Sequence, residues 1–562
     1  MIAYLIYFFR LVWWWLSNAL HRLGRTPEYV TFILQGDYPE LREPPRSFLM
    51  RQLRPPRTSL EDIIEQFQVV AFDPRVRGVI LQVRPLDMSL AQLDSFRRMI
   101  RKLKEAGKHV IVWSSVYDTR NYYLACAADR ILLAPEGIIN PLGISRRYIF
   151  LADALEQVGL KGDFLPISPY KSAGDIFTRK DMSTEVREMA NWLIDSAYEE
   201  FVQAIAIGRG VDDQAAREII DGTPCLEERA KELQLIDEAL NEEALPAYLG
   251  SGGKPARLDT WENAEKRLLR PAPKRPGRYV ALISVEGTLV DGESQRPPVE
   301  PPVDIPFFDE QRAGDLSVVQ VARQVFGDKR ASAVVVYINS RGGSATASEN
   351  MRAALAQIAA KKPLVIAMGA AAASGGYWVA TAGKTIFASP NTLTGSIGVI
   401  IGKIVNTGLL EKLSIHTETL ARGENALIFD FQQPFDPAQR ATVQGMLEDL
   451  YRKFLKLVVE SRAMSEEEVE AIAAGRVWTG RQALEIGLVD ELGGLEEALG
   501  KARQLAGLPE DIGVRRFTPG KAPIAPLSEP ASSMFSYYLN GLQAFNRSGL
   551  LLLTPVVWQK GL

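Results

Sequence analysis

Gly369-Ala370-Ala371-Ala372-Ala373-Ser374-Gly375-Gly376-Tyr377 sets one hydroxyl, that of Ser374, among residues with almost no side-chain bulk. Small neighbours let a substrate backbone approach. A helix opening at this point would offer free amide donors to a developing negative charge. A serine acts as a nucleophile only with a base beside it. The chain holds three histidines, His21, His109 and His416, and none has an obvious claim. His416 lies in Leu413-Ser414-Ile415-His416-Thr417, which alternates like a strand; His109 opens a strand, and His21 falls in the amino-terminal apolar segment. A lysine can serve instead if its ammonium is desolvated. Holding one neutral near pH 7 costs about 4 kcal/mol, which the fold must absorb. The candidate is Lys171 in Ser168-Pro169-Tyr170-Lys171-Ser172-Ala173-Gly174, whose neighbours are small, apolar or hydroxylic. Oxyanion donors have two sources: the Gly375 amide after the serine, and Gly342 or Gly343 in Asn339-Ser340-Arg341-Gly342-Gly343-Ser344. The competing readings are plain: a packed tight turn at Ser374, a strand-ending turn at Gly342-Gly343 and a solvated loop lysine at Lys171.

The elements that position these residues repeat along the chain. Gly78-Val79-Ile80-Leu81-Gln82-Val83 matches Ala333-Val334-Val335-Val336-Tyr337-Ile338. Tyr122, Ile131, Pro135 and Gly143 match Tyr377, Ile386, Pro390 and Gly398 at one constant offset. At a slightly smaller offset, Gly222, Leu235 and Asp237 match Gly475, Leu488 and Asp490. Ser374 aligns with Thr119, Gly342-Gly343 with Asp87-Met88, and Lys171 with a stretch lacking lysine, Ala421 to Ala426. One half carries the serine and the other the lysine. A site shared between the halves would produce that complementary loss.

In the second half, Ser332–Asn339, Pro363–Met368 and Lys384–Ala388 read as strands and Glu349–Ala360 as a helix with Met351, Leu355 and Ile358 on one face. Tyr377–Ala382 reads as a helix start, and charged amphipathic helices are expected near Ser183–Gly208 and Pro437–Arg462. Such alternation predicts α/β repeats with parallel sheets. A chain of 562 residues exceeds one core, and its net charge of -3 gives no electrostatic footprint for nucleic acid. Cys126 and Cys225 suit neither a disulfide framework nor a metal site.

The expected division is 1–25 as a helix that anchors in or lies on a membrane, 26–245 as a first repeat carrying the lysine, 246–278 as linker, 279–518 as a second repeat carrying the serine, and 519–562 as an apolar tail. Ile2 to Leu20 is about long enough to span a bilayer, but Arg10, Ser17, Asn18 and His21 fall on one helical side, which suits an interfacial helix. No cleavage site for removal of the segment is apparent. Arg296–Pro306 reads as a long surface loop. The tail, with Leu550-Leu551-Leu552-Leu553, has three candidate contacts: membrane, the body or another subunit.

Four blocks carry a resemblance: Tyr170-Lys171-Ser172-Ala173, Asn339-Ser340-Arg341-Gly342-Gly343, Ala373-Ser374-Gly375-Gly376-Tyr377-Trp378 and Leu393-Thr394-Gly395-Ser396-Ile397-Gly398-Val399. From about Val69 to Leu505 the chain resembles the long, two-half form of signal peptide peptidase A, serine protease family S49 in the ClpP/crotonase-like superfamily. The resemblance implies tandem ClpP/crotonase-like repeats, Ser374 as nucleophile, Lys171 as general base, and an oxyanion hole at Gly343 and Gly375. It implies no metal or organic cofactor, a homotetramer, and action on released signal peptides and other apolar segments at a bacterial-type inner or plasma membrane. It places the body outside the cytoplasm, whereas the arginines after the first segment, Arg22 to Arg57, would hold it inside; the side is left open. Two other readings compete: a crotonase-like acyl-CoA enzyme, and a non-catalytic membrane scaffold.

Overall fold

The computed structural model describes residues 2–43, 56–296, 311–519 and 550–553. The expected loop at Arg296–Pro306, beyond its first residue, and most of the tail lie outside the described residues.

The chain opens with helix α1 (Ile2–Arg22). Its polar side faces the protein. Asn18 grips the Arg270 backbone twice, donating from Nδ2 to the carbonyl at 2.9 Å and accepting the amide at 2.9 Å. The Trp14 indole donates to the same carbonyl at 2.6 Å, and His21 Nδ1 lies 2.9 Å from the Leu268 carbonyl. The other side is turned outward, leaving Phe9, Trp13 and Trp15 exposed by 62%, 74% and 65%. No helix among the described residues is long and apolar enough to cross a membrane. Of the two sequence-based options for this segment, the spanning one does not fit: Arg10 and the polar stripe lower its hydropathy, and the protein body occupies that stripe.

The first half is built on β1 (Tyr29–Gly36), β2 (Gly78–Leu86), β3 (His109–Tyr117) and β4 (Arg130–Ile139), parallel and in the order β4-β3-β2-β1. Two helices, Leu60–Phe72 and Leu90–Glu105, link the first three strands, and each starts at a serine capping box, Ser59 or Ser89. Their apolar faces bury Phe67, Phe96 and Leu103 against Val79, Leu81 and Val112 in one core. The chain then forms β5 (Lys161–Pro166) and the long helix α2 (Thr184–Arg209).

The second half repeats the plan with β6 (Arg275–Glu286), β7 (Ala331–Ser340), the short β8 (Gly342–Ser344) and β9 (Leu364–Ala373), then α3 (Gly375–Ala380), β10 (Leu393–Gly395), β11 (Ile400–Val405) and α4 (Pro437–Arg462). Its main sheet runs β10-β9-β7-β6 with parallel pairing. The equivalence of the halves extends to single hydrogen bonds. Tyr122 donates to the Leu235 carbonyl at 2.8 Å, and Tyr377 to the Leu488 carbonyl at 2.9 Å. Asp237 accepts the Ile131 amide and pairs with Arg209; Asp490 accepts the Ile386 amide and pairs with Arg462.

Three local expectations differ from the structure. The strand expected to stop at Met368 continues to Ala373, because Ala371–Ala373 are small enough to lie between β7 and β10 and pair with Leu393–Gly395. The helix expected from Glu349 starts earlier, at Ala345, where Ser344 caps it. Leu413–Thr417 is not a strand: it is irregular chain following the short helix Thr407–Lys412, and His416 is exposed. Alternating residue types there find no sheet edge to pair with.

A second, smaller sheet joins the halves. In it β5, from the first half, pairs antiparallel with β11, from Pro166 opposite Ile400 to Lys161 opposite Val405. The order is Arg312–Gly314, Thr288–Val290, β8, β12 (Leu550–Leu553), β11, β5. Asp163 holds the crossing in place by accepting the Phe435 amide at 2.7 Å and pairing with Arg440.

Candidate active site

Ser374 stands at the junction of β9 and α3. Its backbone is at φ 55°, ψ −115°, a left-handed conformation that costs a non-glycine residue free energy. Its amide donates to the Gly395 carbonyl at 2.8 Å, and its carbonyl accepts the Trp378 amide at 2.9 Å. These bonds pin the strained turn between β10 and α3. The side chain is fully buried.

Lys171 arrives from the other half. After β5 crosses to β11, the Ile167 amide donates to the Val399 carbonyl at 3.0 Å, and Ser168 Oγ donates to the Ala474 carbonyl. The lysine backbone then lies against Gly475. A Cβ at that glycine, whose φ is +84°, would stand 2.7 Å from the Lys171 Cβ. Nearby, the Trp192 ring from α2 stacks on Trp478 with centroids 4.9 Å apart, and its indole donates to the Val477 carbonyl at 2.9 Å.

Lys171 Nζ lies 2.7 Å from Ser374 Oγ. Its two further partners are both on Ser396: the carbonyl at 2.9 Å and Oγ at 2.9 Å. A neutral amine has two N–H donors and one lone pair. Three contacts match that complement, with two N–H groups donated to Ser396 and the lone pair left for the Ser374 hydroxyl. No carboxylate hydrogen-bonds the amine, since Asp163 is committed to Phe435 and Arg440. Burial alone acts on Lys171 and holds its pKa well below the ordinary lysine range.

The two glycine sources meet beside the serine. A Cβ on Gly375 would stand 3.2 Å from the Gly343 amide nitrogen, 3.2 Å from Gly342 Cα and 2.6 Å from Ser348 Oγ. A Cβ on Gly343, at φ +152°, would fall 2.1 Å from the Leu289 carbonyl oxygen. Only glycine fits at either position, and backbone rather than side chain lines this side of Ser374.

The sequence-predicted Ser374, Lys171, Gly343 and Gly375 are therefore neighbours. The histidines are elsewhere: His21 is held by the Leu268 carbonyl, and His109 and His416 are exposed. Among the described residues, no three His, Cys, Asp or Glu side chains are grouped to hold a metal ion. Sequence reasoning missed Ser396 as a partner of the amine. Its signal was present, a hydroxyl two residues past Thr394 in a glycine-flanked block, but its left-handed turn (φ 52°) shows only in three dimensions.

Comparison with known proteins agrees with this arrangement. The profile described as Peptidase family S49 matches residues 102–249 and 356–509, one stretch in each half. The chain is 30% identical over 486 residues to Protease 4 of Haemophilus influenzae, covering 83% of this chain and 76% of that protein. It is 30% identical over 488 residues to the chloroplastic serine protease SPPA of Arabidopsis thaliana, covering 85% and 69%. It is 31% identical over 470 residues to Protease 4 of Salmonella typhi, covering 80% and 73%. Two matched halves, a buried serine–lysine contact and relatives aligned along most of their length lead to one conclusion: the chain belongs to peptidase family S49 and is a serine protease.

Proposed function

We propose that Ser374 and Lys171 form a Ser-Lys dyad and that the amides of Gly343 and Gly375 form the oxyanion hole. The observation that carries this reading is the 2.7 Å contact between a desolvated amine and a hydroxyl on a strained turn. Neutral Lys171 takes the proton of Ser374 Oγ as that oxygen bonds to the substrate carbonyl carbon. The oxyanion accepts the two glycine amides. The ammonium then protonates the departing amine as the C–N bond breaks, leaving an acyl-serine. Water repeats the sequence: Lys171 takes its proton, the oxygen attacks the acyl carbon, and Ser374 recovers its hydrogen. Ser396 keeps the amine aimed through both steps.

The substrate class we propose is apolar peptide segments, including released signal peptides, which accords with the family and with a site of backbone strands. The division of labour between lysine-bearing residues 26–245 and serine-bearing residues 279–518, and assembly as a homotetramer, belong to the same proposal. So does association with a lipid surface. The exposed Phe9, Trp13 and Trp15 of α1 point away from the body, and aromatic side chains of this kind favour the headgroup region. The serine–lysine contact gives the acyl-CoA and scaffold readings no support.

A serine-reactive phosphonate tests the assignment. It should label Ser374 in the intact protein, and labelling should fall at least 100-fold in Lys171→Ala, on the order of a lost general base. Equal labelling of the two proteins would overturn the dyad.

A further inference from the structure

The strand β12 is made by residues Leu550–Leu553, far along the chain from every other strand of its sheet. It pairs antiparallel on one side with β8: Gly342 opposite Leu553, Gly343 opposite Leu552, Ser344 opposite Leu551. On the other side it pairs antiparallel with β11, Ile400 opposite Leu551 and Ile401 opposite Leu550. The remaining edge of β8 is taken by Thr288–Val290, where Leu289 faces Gly343, and that of β11 by β5. The facing edges of β8 and β11 thus form a slot one strand wide. Its walls come from the two segments that bracket the site: β8 holds the Gly343 amide against Gly375, and β11 follows directly on Ser396 to Val399.

A slot with unpaired backbone on both walls binds an extended peptide by strand addition, with main-chain hydrogen bonds supplying much of the affinity. We propose that this slot is the substrate groove and that the chain's own carboxy-terminal tail, through Leu550–Leu553, occupies it as a tethered competitor of substrate. The inference rests on the dyad reading for the position of the chemistry, and on backbone register for the position of the tail. The run Leu550-Leu551-Leu552-Leu553 has the apolar character proposed for the substrates. The tether is long enough. Phe517 ends the last strand of the second-half sheet, and the chain from there to Leu550, fully extended, reaches on the order of 100 Å. Flexible tethering supplies an effective concentration on the millimolar scale. An added peptide must therefore displace the tail before it can bind.

The test uses the full-length chain. Leu551→Pro/Leu552→Pro removes two amide donors from the tail strand and touches no residue of the dyad. The expected result is a KM for an apolar fluorogenic peptide lowered about ten-fold with kcat unchanged. A second readout needs no catalysis. In Ser374→Ala protein, the amides of Leu551–Leu553 should be protected from hydrogen exchange, and added apolar peptide should remove that protection. An unprotected tail together with an unchanged KM would overturn the proposal. Failure of the phosphonate to label Ser374 in either protein would strike the dyad reading instead, and the exchange result would still decide where the tail lies.

Discussion

Lys171 Nζ and Ser374 Oγ, 203 positions apart in the chain, lie 2.7 Å from one another with neither side chain reaching solvent. Burial is the cause of the depressed lysine pKa, and no neighbouring charge contributes. Activity should therefore follow the neutral amine. The kcat/KM profile should rise with pH through a midpoint well below the ordinary lysine value of 10.5. Lys171→Arg should be as inactive as Lys171→Ala, because a guanidinium stays charged. Stability carries the matching sign. Between the native and ordinary pKa values the unfolded chain binds the proton that the native chain refuses, so stability rises with pH across that window. Lys171→Met should flatten this slope and raise the melting temperature at neutral pH.

Ser396 touches the amine by both its hydroxyl and its carbonyl. Ser396→Ala keeps the carbonyl contact and loses the hydroxyl acceptor. The expected outcome is a kcat about ten-fold lower, on the order of one neutral hydrogen bond, with KM little changed. The midpoint of the pH–rate profile should also move toward acid, because the ammonium has lost an acceptor. A merely structural serine would lower stability without moving that midpoint.

Gly475 and Gly343 confine the two sides of the site. A methyl group at Gly475 would press on the Lys171 backbone, and one at Gly343 would collide with the Leu289 carbonyl. Gly475→Ala should lower kcat by misplacing the lysine, with the pH midpoint returning toward 10.5 as water gains access. Gly343→Ala should cost about 100-fold in kcat if the Gly343 amide is an oxyanion donor, with phosphonate labelling reduced in parallel. Circular dichroism of both proteins separates these effects from unfolding.

The seam between the halves has a titratable feature of its own. Burial pushes the Glu40 carboxyl up to about 7, against the opposing pull of Arg98. Arg98 also donates to Ser389 Oγ at 3.1 Å and pairs with Glu497 at 3.3 Å, both in the second half. The native chain holds a proton on Glu40 that the unfolded chain releases above its ordinary value of 4.5. Stability should therefore fall as pH rises from about 4.5 through 7. Denaturant titrations across that range should show the decline, and Glu40→Gln should remove part of it.

The core of each half was legible because its signal is local. Runs such as Val334–Ile338 and the helix face of Met351, Leu355 and Ile358 declare a buried strand and an amphipathic helix by spacing alone. Ser374 and Lys171 were legible because the duplication supplies an internal control: each half lacks what the other keeps. Three features were not legible, all of them edge events. The pairing of β5 with β11 depends on which strand edge is open in the other half. The tail strand depends on a slot that exists only after folding. The double contact of Ser396 depends on a left-handed turn that serine rarely adopts. The alternation around His416 misled in the opposite sense: it has the pattern of a strand but no partner edge.

The threading of β5 into the sheet beside Ser374 also sets an order of events during synthesis. A ribosome releases the lysine first and the hydroxyl about two hundred residues later, and the strand that carries the lysine has no β11 to dock on until then. On the dyad reading, the growing polypeptide has no cutting machinery while it is still being made. Misassembled chains are silent for the same reason, so hydrolysis begins only in molecules whose two halves have already closed on each other.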